Sequence, residues 1–389
     1  MPAVSTSHSS RWDALDVLRG LTIMLMLLNL APGSWEFNYA FLVHAKWEGG
    51  TLIDMVAPAF LFCIGAAMPL SFERRSARGA SAGELYRHVM TRAALLVAIG
   101  LFLNLYPKFD VATFRIPGVL QRIGLCYGLS GVFMLLNARR GADGLRFRAA
   151  PLAYAALVIL VSYWLLLYFV PVPGHGAPRF DAEWSWPPVI DRAVIGVEHF
   201  FPYWPVDGRV VFDPEGILST WPACFNVLFG ALVGIGFLRG GFSRPALTAC
   251  VAGVAMMLVA WAAHGLCPII KNLWTSTFAL FSSGFTLVLL GVLMAISQRD
   301  GVRPLFWPAR IFGENPLLAY ILVFLMMPVI DANLLGDEAA PLSIRAGGQA
   351  LFGGFASPNA ASLLFGLCGL LLLLGILVVC HRKSWILKL

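Results

Sequence analysis

Charge is what this sequence has least of. Asp, Glu, Lys and Arg make up 13% of its 389 residues, where a soluble domain carries about 25%. Hydrophobic residues make up 59%, and mean hydropathy is +0.77. That balance excludes an ordinary soluble globule. Paired cysteines are missing as well. Cys63, Cys126, Cys224, Cys250, Cys267, Cys368 and Cys380 lie in or beside apolar runs without a CxxC pair, which supports neither a zinc site nor a disulfide framework. Residues 1–10 are polar and lack the basic-then-apolar order of a cleaved leader. The first apolar segment, starting near Val17, is therefore expected to be retained. No internal repeat recurs at a fixed period, which weighs against an inverted-repeat transporter.

What the chain does contain is a series of apolar runs of about 20 residues, the length that crosses the hydrocarbon core as a helix. Lipid offers no water to pair with, so such runs must close their backbone hydrogen bonds internally. The expected fold class is all-α, a polytopic membrane helix bundle forming one transmembrane domain over residues 1–389. About ten spans are placed at roughly 17–31, 52–72, 90–106, 118–137, 150–171, 216–237, 245–264, 272–297, 311–330 and 359–381.

A net charge of +7 invites a nucleic-acid reading, but the cations lie at alternate ends of the spans. One set of ends holds nineteen Lys and Arg residues, among them Arg11, Arg74, Arg75, Arg78, Arg87 and Lys388, and the other holds nine. The excess marks the cytoplasmic side. It predicts both termini in the cytoplasm, His44 outside, and no nucleic-acid partner. The largest outer loop, 172–215, is rich in Pro, Trp and acidic residues, and its length suits a lid better than a connector. Trp204 belongs to this loop and, with Trp35, Trp47 and Trp184, fits an aromatic belt at the interface.

Polar residues concentrate at span ends on the outer side. Asn29 closes the first span, His44 follows in a loop, and Asp54 lies just inside the second span. Ionisable groups at that depth are costly and default to a functional hypothesis. An unperturbed imidazole titrates near neutrality, which suits His44 to the role of general base. Asp54 can orient the imidazole or hold the Trp47 loop, and spacing does not separate the two. Asn29 can donate to an anionic oxygen or simply end a helix. RIPGVLQR brings Arg115 and Arg122 to the start of the fourth span, where anions bind or Arg side chains snorkel. DPEG fits a helix start with Asp213 as N-cap and Pro214 at the first position. KNLW carries Lys271, Asn272 and Trp274 into the eighth span. Arg19 and Asn315 are the comparable inner-end residues.

As a set these motifs resemble the heparan-alpha-glucosaminide N-acetyltransferase family, bacterial members included. LDVLRGLTIMLMLLN, HAKWEGGTLIDMVAPAFLFCIG, RIPGVLQRIGLCY, DPEGILST and KNLWTSTFALFSSGF recur in the family's order, with a weaker match at FGENPLLAYIL. The resemblance implies a membrane acyltransferase that takes acetyl from cytosolic acetyl-CoA and delivers it to an amino sugar across the membrane. It carries the H-x-x-W histidine over to His44 and the asparagine ending the first span to Asn29. The expected mechanism has His44 as base, Asn29 on the oxyanion and Asp54 as orienting carboxylate. Arg115, Arg122, Lys271, Asn272 and Trp274, or Arg19 and Asn315 on the inner face, would contact CoA. No metal is expected. The implied partners are an amino-sugar or oligosaccharide acceptor and membrane lipid, with a homodimer left open. The implied location is the bacterial inner membrane, crossed many times. An O-acyltransferase of envelope polysaccharide and a sugar permease are the competing readings.

Overall fold

A computed structural model describes residues 6–141, 144–202, 205–240, 244–297, 299, 301–336 and 342–387; Trp204 and Lys388 lie outside these. The helices in chain order are α1 (Thr6–Leu30), α2 (Val56–Ala77), α3 (Ala82–Leu105), α4 (Val119–Leu136), α5 (Ala149–Phe169), α6 (Trp186–Val194) and α7 (Thr220–Leu238). They continue with α8 (Pro245–Ala262), α9 (Ser276–Ile296), α10 (Trp307–Glu314), α11 (Pro316–Asp331), α12 (Ile344–Gly353) and α13 (Pro358–Arg382). The only strands among the described residues are β1 (Ala138–Gly141) and β2 (Gly144–Phe147), an antiparallel pair between α4 and α5.

Among the described residues, eight helices are long and apolar enough to cross a membrane, or nine if α10 and α11 count as one bent span. The molecule is thus an all-α polytopic membrane bundle. Helix α1, covering the first expected span, is not among the eight and carries Asp13, Asp16 and Arg19 in its length. The expected continuous span at 311–330 is broken instead, with a bend of 76° between α10 and α11. Asn315 at the break has φ −129° and ψ 51°, because the ring of Pro316 excludes the helical conformation from the residue before it. The loop regions also hold structure that apolar-run length could not reveal: α6 inside 172–215 and α12 inside 331–358.

The chain forms two compact units. Unit 1 comprises residues 1–45, 50–56 and 293–389. In it α1 packs on α10, α11 and α13, and α12 packs on α13. A Cβ on Gly20 would overlap the Ala309 backbone, so α1 and α10 meet at backbone distance. Unit 2 comprises residues 46–49 and 57–292, where α3 packs on α4, and α7 packs on α4 and α5. Gly65, Gly230 and Gly234 bring α2 and α7 equally close, the small-residue packing that replaces a hydrophobic drive between helices in lipid.

Candidate active site

In unit 1, α1 stops at Leu30 ahead of Pro32 and Gly33, and the chain turns through a short 3-10 helix at Ala40–Leu42. Asn29 Nδ2 donates to the Leu42 carbonyl at 2.9 Å, tying the end of α1 to the segment that presents His44 two residues later. A second 3-10 turn, Ile53–Met55, leads into α2 and carries Asp54. Its carboxylate is fully buried, and four groups converge on it. Oδ2 accepts from the Ala45 amide at 3.1 Å, the Thr51 amide at 2.9 Å and the Thr51 hydroxyl at 3.0 Å. Oδ1 lies 2.6 Å from His44 Nδ1, and the imidazole is 26% exposed. A buried carboxylate needs such a set of donors. Here one of them is a histidine, which fixes the ring's orientation and places the proton on Nδ1. The lone pair on Nε2 is then the basic site.

Residues 46–49, just after the His44 segment, belong to unit 2. The Trp47 indole donates to the Phe180 carbonyl at 2.8 Å and meets the Phe212 ring edge-on, while the Gly49 amide donates to the Ile269 carbonyl at 2.7 Å. The 172–215 loop and the chain around Ile269 therefore hold the tryptophan end of the H-x-x-W segment.

Unit 2 also gathers the charged motifs. Arg115 donates from Nε and Nη2 to both oxygens of Asp213, at 2.8 and 2.6 Å, and from Nη2 to Glu215 at 2.5 Å. Asp213 is no N-cap. It accepts from the amides of Phe201 and Glu215 and shapes a turn, and α7 begins only at Thr220. Burial would push the Glu215 carboxyl up, but the charges of Arg115, Lys271 and Arg122 outweigh it and bring the pKa down to about 2. Asp191, on α6, accepts from the Ile217 amide at 2.8 Å and fills the space where a Gly216 side chain would be. Its burial pushes it up to about 6, against the Ile217 hydrogen bond and the Arg122 charge.

Arg122 is 3% exposed and stacks over the Trp274 ring at 4.7 Å. Its Nη2 donates to Ser219 Oγ and the Gly216 carbonyl, whereas Nε and Nη1 are buried without a hydrogen-bond partner among the described residues. Asn272 Oδ1 is in the same condition. Trp274, fully buried, has φ 51° and donates to Asn226 at 2.9 Å. A tryptophan in the left-handed region is strained, and such strain collects at functional sites. Lys271 is 7% exposed beside this turn.

The candidate residues thus fall into two groups. His44, Asn29 and Asp54 come together in unit 1, and Arg115, Arg122, Lys271, Asn272 and Trp274 come together in unit 2. Arg19 and Asn315 join neither. Arg19 donates to the Gly313 carbonyl and to Asp16, and Asn315 bonds the backbone of Trp385 and Leu387. Residues unforeseen as parts of the groups are Thr51, Asp191, Ser219 and Asn226. Asp213 and Glu215 were visible as a motif, but their partner Arg115 lies about a hundred residues away in sequence. Among the described residues no cluster of three or more His, Cys, Asp or Glu could hold a metal ion.

A multi-pass membrane bundle carrying a carboxylate-held histidine beside its second span is the class these features define. The catalytic-region model of heparan-alpha-glucosaminide N-acetyltransferase matches residues 11–205, and the chain belongs to that family. The heparan-alpha-glucosaminide N-acetyltransferases of mouse and human are each 27% identical to it, over 82% and 80% of this chain. Those alignments cover 54% and 52% of the relatives, so the chain spans about half the length of the curated proteins it matches.

Proposed function

We propose that this protein is a transmembrane N-acetyltransferase that moves acetyl from cytosolic acetyl-CoA to the amine of a glucosamine-type sugar on the extracytoplasmic side. The observation that carries the reading is the 2.6 Å pairing of His44 Nδ1 with a fully buried Asp54. A buried, four-donor carboxylate holding a partly exposed imidazole is what a general base requires, and it is costly to maintain for packing alone. In the reaction the acceptor sugar enters as the neutral amine, and His44 Nε2 takes a proton from its nitrogen as that nitrogen attacks the thioester carbonyl. A C–N bond forms, the C–S bond breaks, and the proton passes to the departing CoA thiolate. The products are the N-acetyl sugar and CoA. Asp54 stabilises the imidazolium that forms between these steps.

Asn29 keeps one side-chain N–H beyond its bond to Leu42 as a candidate oxyanion donor. Arg122, Lys271, Asn272 and Trp274 are the candidate contacts for acetyl-CoA, favoured by the buried unmatched polar atoms of Arg122 and Asn272 and by the strained turn at Trp274. Arg115, Arg19 and Asn315 are engaged within the protein and take positioning roles. The Lys and Arg bias supports an inner-membrane protein with both termini in the cytoplasm. Purified protein given labelled acetyl-CoA should acetylate glucosamine and leave N-acetylglucosamine untouched. Equal labelling of the two would favour O-acyl transfer, and uptake of sugar into vesicles without acetyl-CoA would favour a permease.

A further inference from the structure

Helix α2 closes on Arg74 and Arg75 and α3 opens at Ala82, leaving between them an open pocket of about 390 Å³. Arg75, Arg87, His88 and Thr91 line it together with one acidic residue, Glu84. That carboxylate is already committed. Its Oε2 accepts from the Ser81 amide at 2.7 Å in the capping box of α3. Two buried nitrogens lack any hydrogen-bond partner among the described residues: Nε2 of His88, which lines the pocket, and Nε of Arg92 one turn further along α3. A buried polar atom without a partner is costly, and a ligand that supplies one removes the cost.

The helix bearing these groups is peripheral in unit 2. Met90, Leu95 and Phe102 of α3 are 55%, 42% and 50% exposed. On a membrane-spanning helix such side chains face acyl chains, so the pocket lies at the headgroup end of a lipid-facing surface. Two guanidinium groups, an imidazole and a hydroxyl match a phosphate by charge and by donor number.

We infer that this pocket binds the phosphate headgroup of an anionic phospholipid. The lipid, rather than a soluble phosphate, is favoured by the apolar face that continues from the pocket along α3. Native mass spectrometry of the full-length protein with phosphatidylglycerol or phosphatidylcholine tests it. Phosphatidylglycerol should bind preferentially, and Arg75→Gln with Arg87→Gln should weaken it about thirtyfold. His88→Gln, which keeps α3 and both arginines, should weaken it less. Arg299→Gln with Arg303→Gln, at another basic end, should leave it unchanged. Equal binding of the two lipids, or equal loss in the control pair, would overturn the inference. So would binding of pyrophosphate that the double variant loses, in the absence of lipid binding.

Discussion

Asp54 takes hydrogen bonds from two backbone amides, a hydroxyl and an imidazole, and each of those donors expects a negatively charged oxygen. Asp54→Asn turns one acceptor into a donor facing these groups. Acetyl transfer should fall about a hundredfold or more through kcat, with a loss of roughly 2–3 kcal/mol in folding stability from the mismatched donors. Steady-state kinetics and thermal melting read the two effects, and wild-type kcat would remove Asp54 from the mechanism. The sequence shows His44 and Asp54 ten residues apart but leaves open whether the carboxylate serves the ring or the loop. The 3-10 turn at Ile53–Met55 lets it serve both, bonding Thr51 and Ala45 with one oxygen and His44 with the other. No spacing rule for a regular helix contains that geometry.

At the scale of elements, the apolar runs mark where helices lie, because lipid compels any such run to be helical. What the runs hide is how helices end. Pro316 breaks an expected single span, and DPEG forms a turn locked by Arg115, where a cap with Pro at the first helical position was the local expectation. Ion pairs across about a hundred residues leave no local trace. Helix α6 shows the consequence for stability. Burial raises Asp191 from 3.8 to about 6, so the folded state holds its proton more tightly than the unfolded chain. Its ionisation therefore costs stability as pH rises from 3.8 through about 6, and the full cost, on the order of 3 kcal/mol, applies above that. Asp191→Asn keeps an oxygen for the Ile217 amide and should raise the melting temperature at pH 8, with a much smaller gain at pH 4.5. A gain larger at low pH would contradict the assignment. In the α2–α7 contact, Gly65→Ala forces the helices apart and should cost roughly 1–3 kcal/mol, read as a lower melting temperature in detergent.

For the whole molecule, the Lys and Arg asymmetry predicts which ends face the cytoplasm. Arg78→Cys, at the end of α2, should resist a membrane-impermeant maleimide in intact cells, and Asp207→Cys, in the outer loop, should react. The reverse pattern would invert the topology and place His44 on the cytoplasmic side. The family was legible in the order of its motifs. The division into two compact units was not, because it depends on which helices pack together, and each helix face is apolar to lipid and protein alike.

The most direct test is His44→Ala in purified protein, with acetyl transfer from labelled acetyl-CoA to glucosamine measured beside acetyl-CoA binding. Transfer should fall by about 10² to 10⁴ with binding retained, and the wild-type rate should rise with pH through a group titrating near neutrality. Undiminished transfer by the variant would contradict the account.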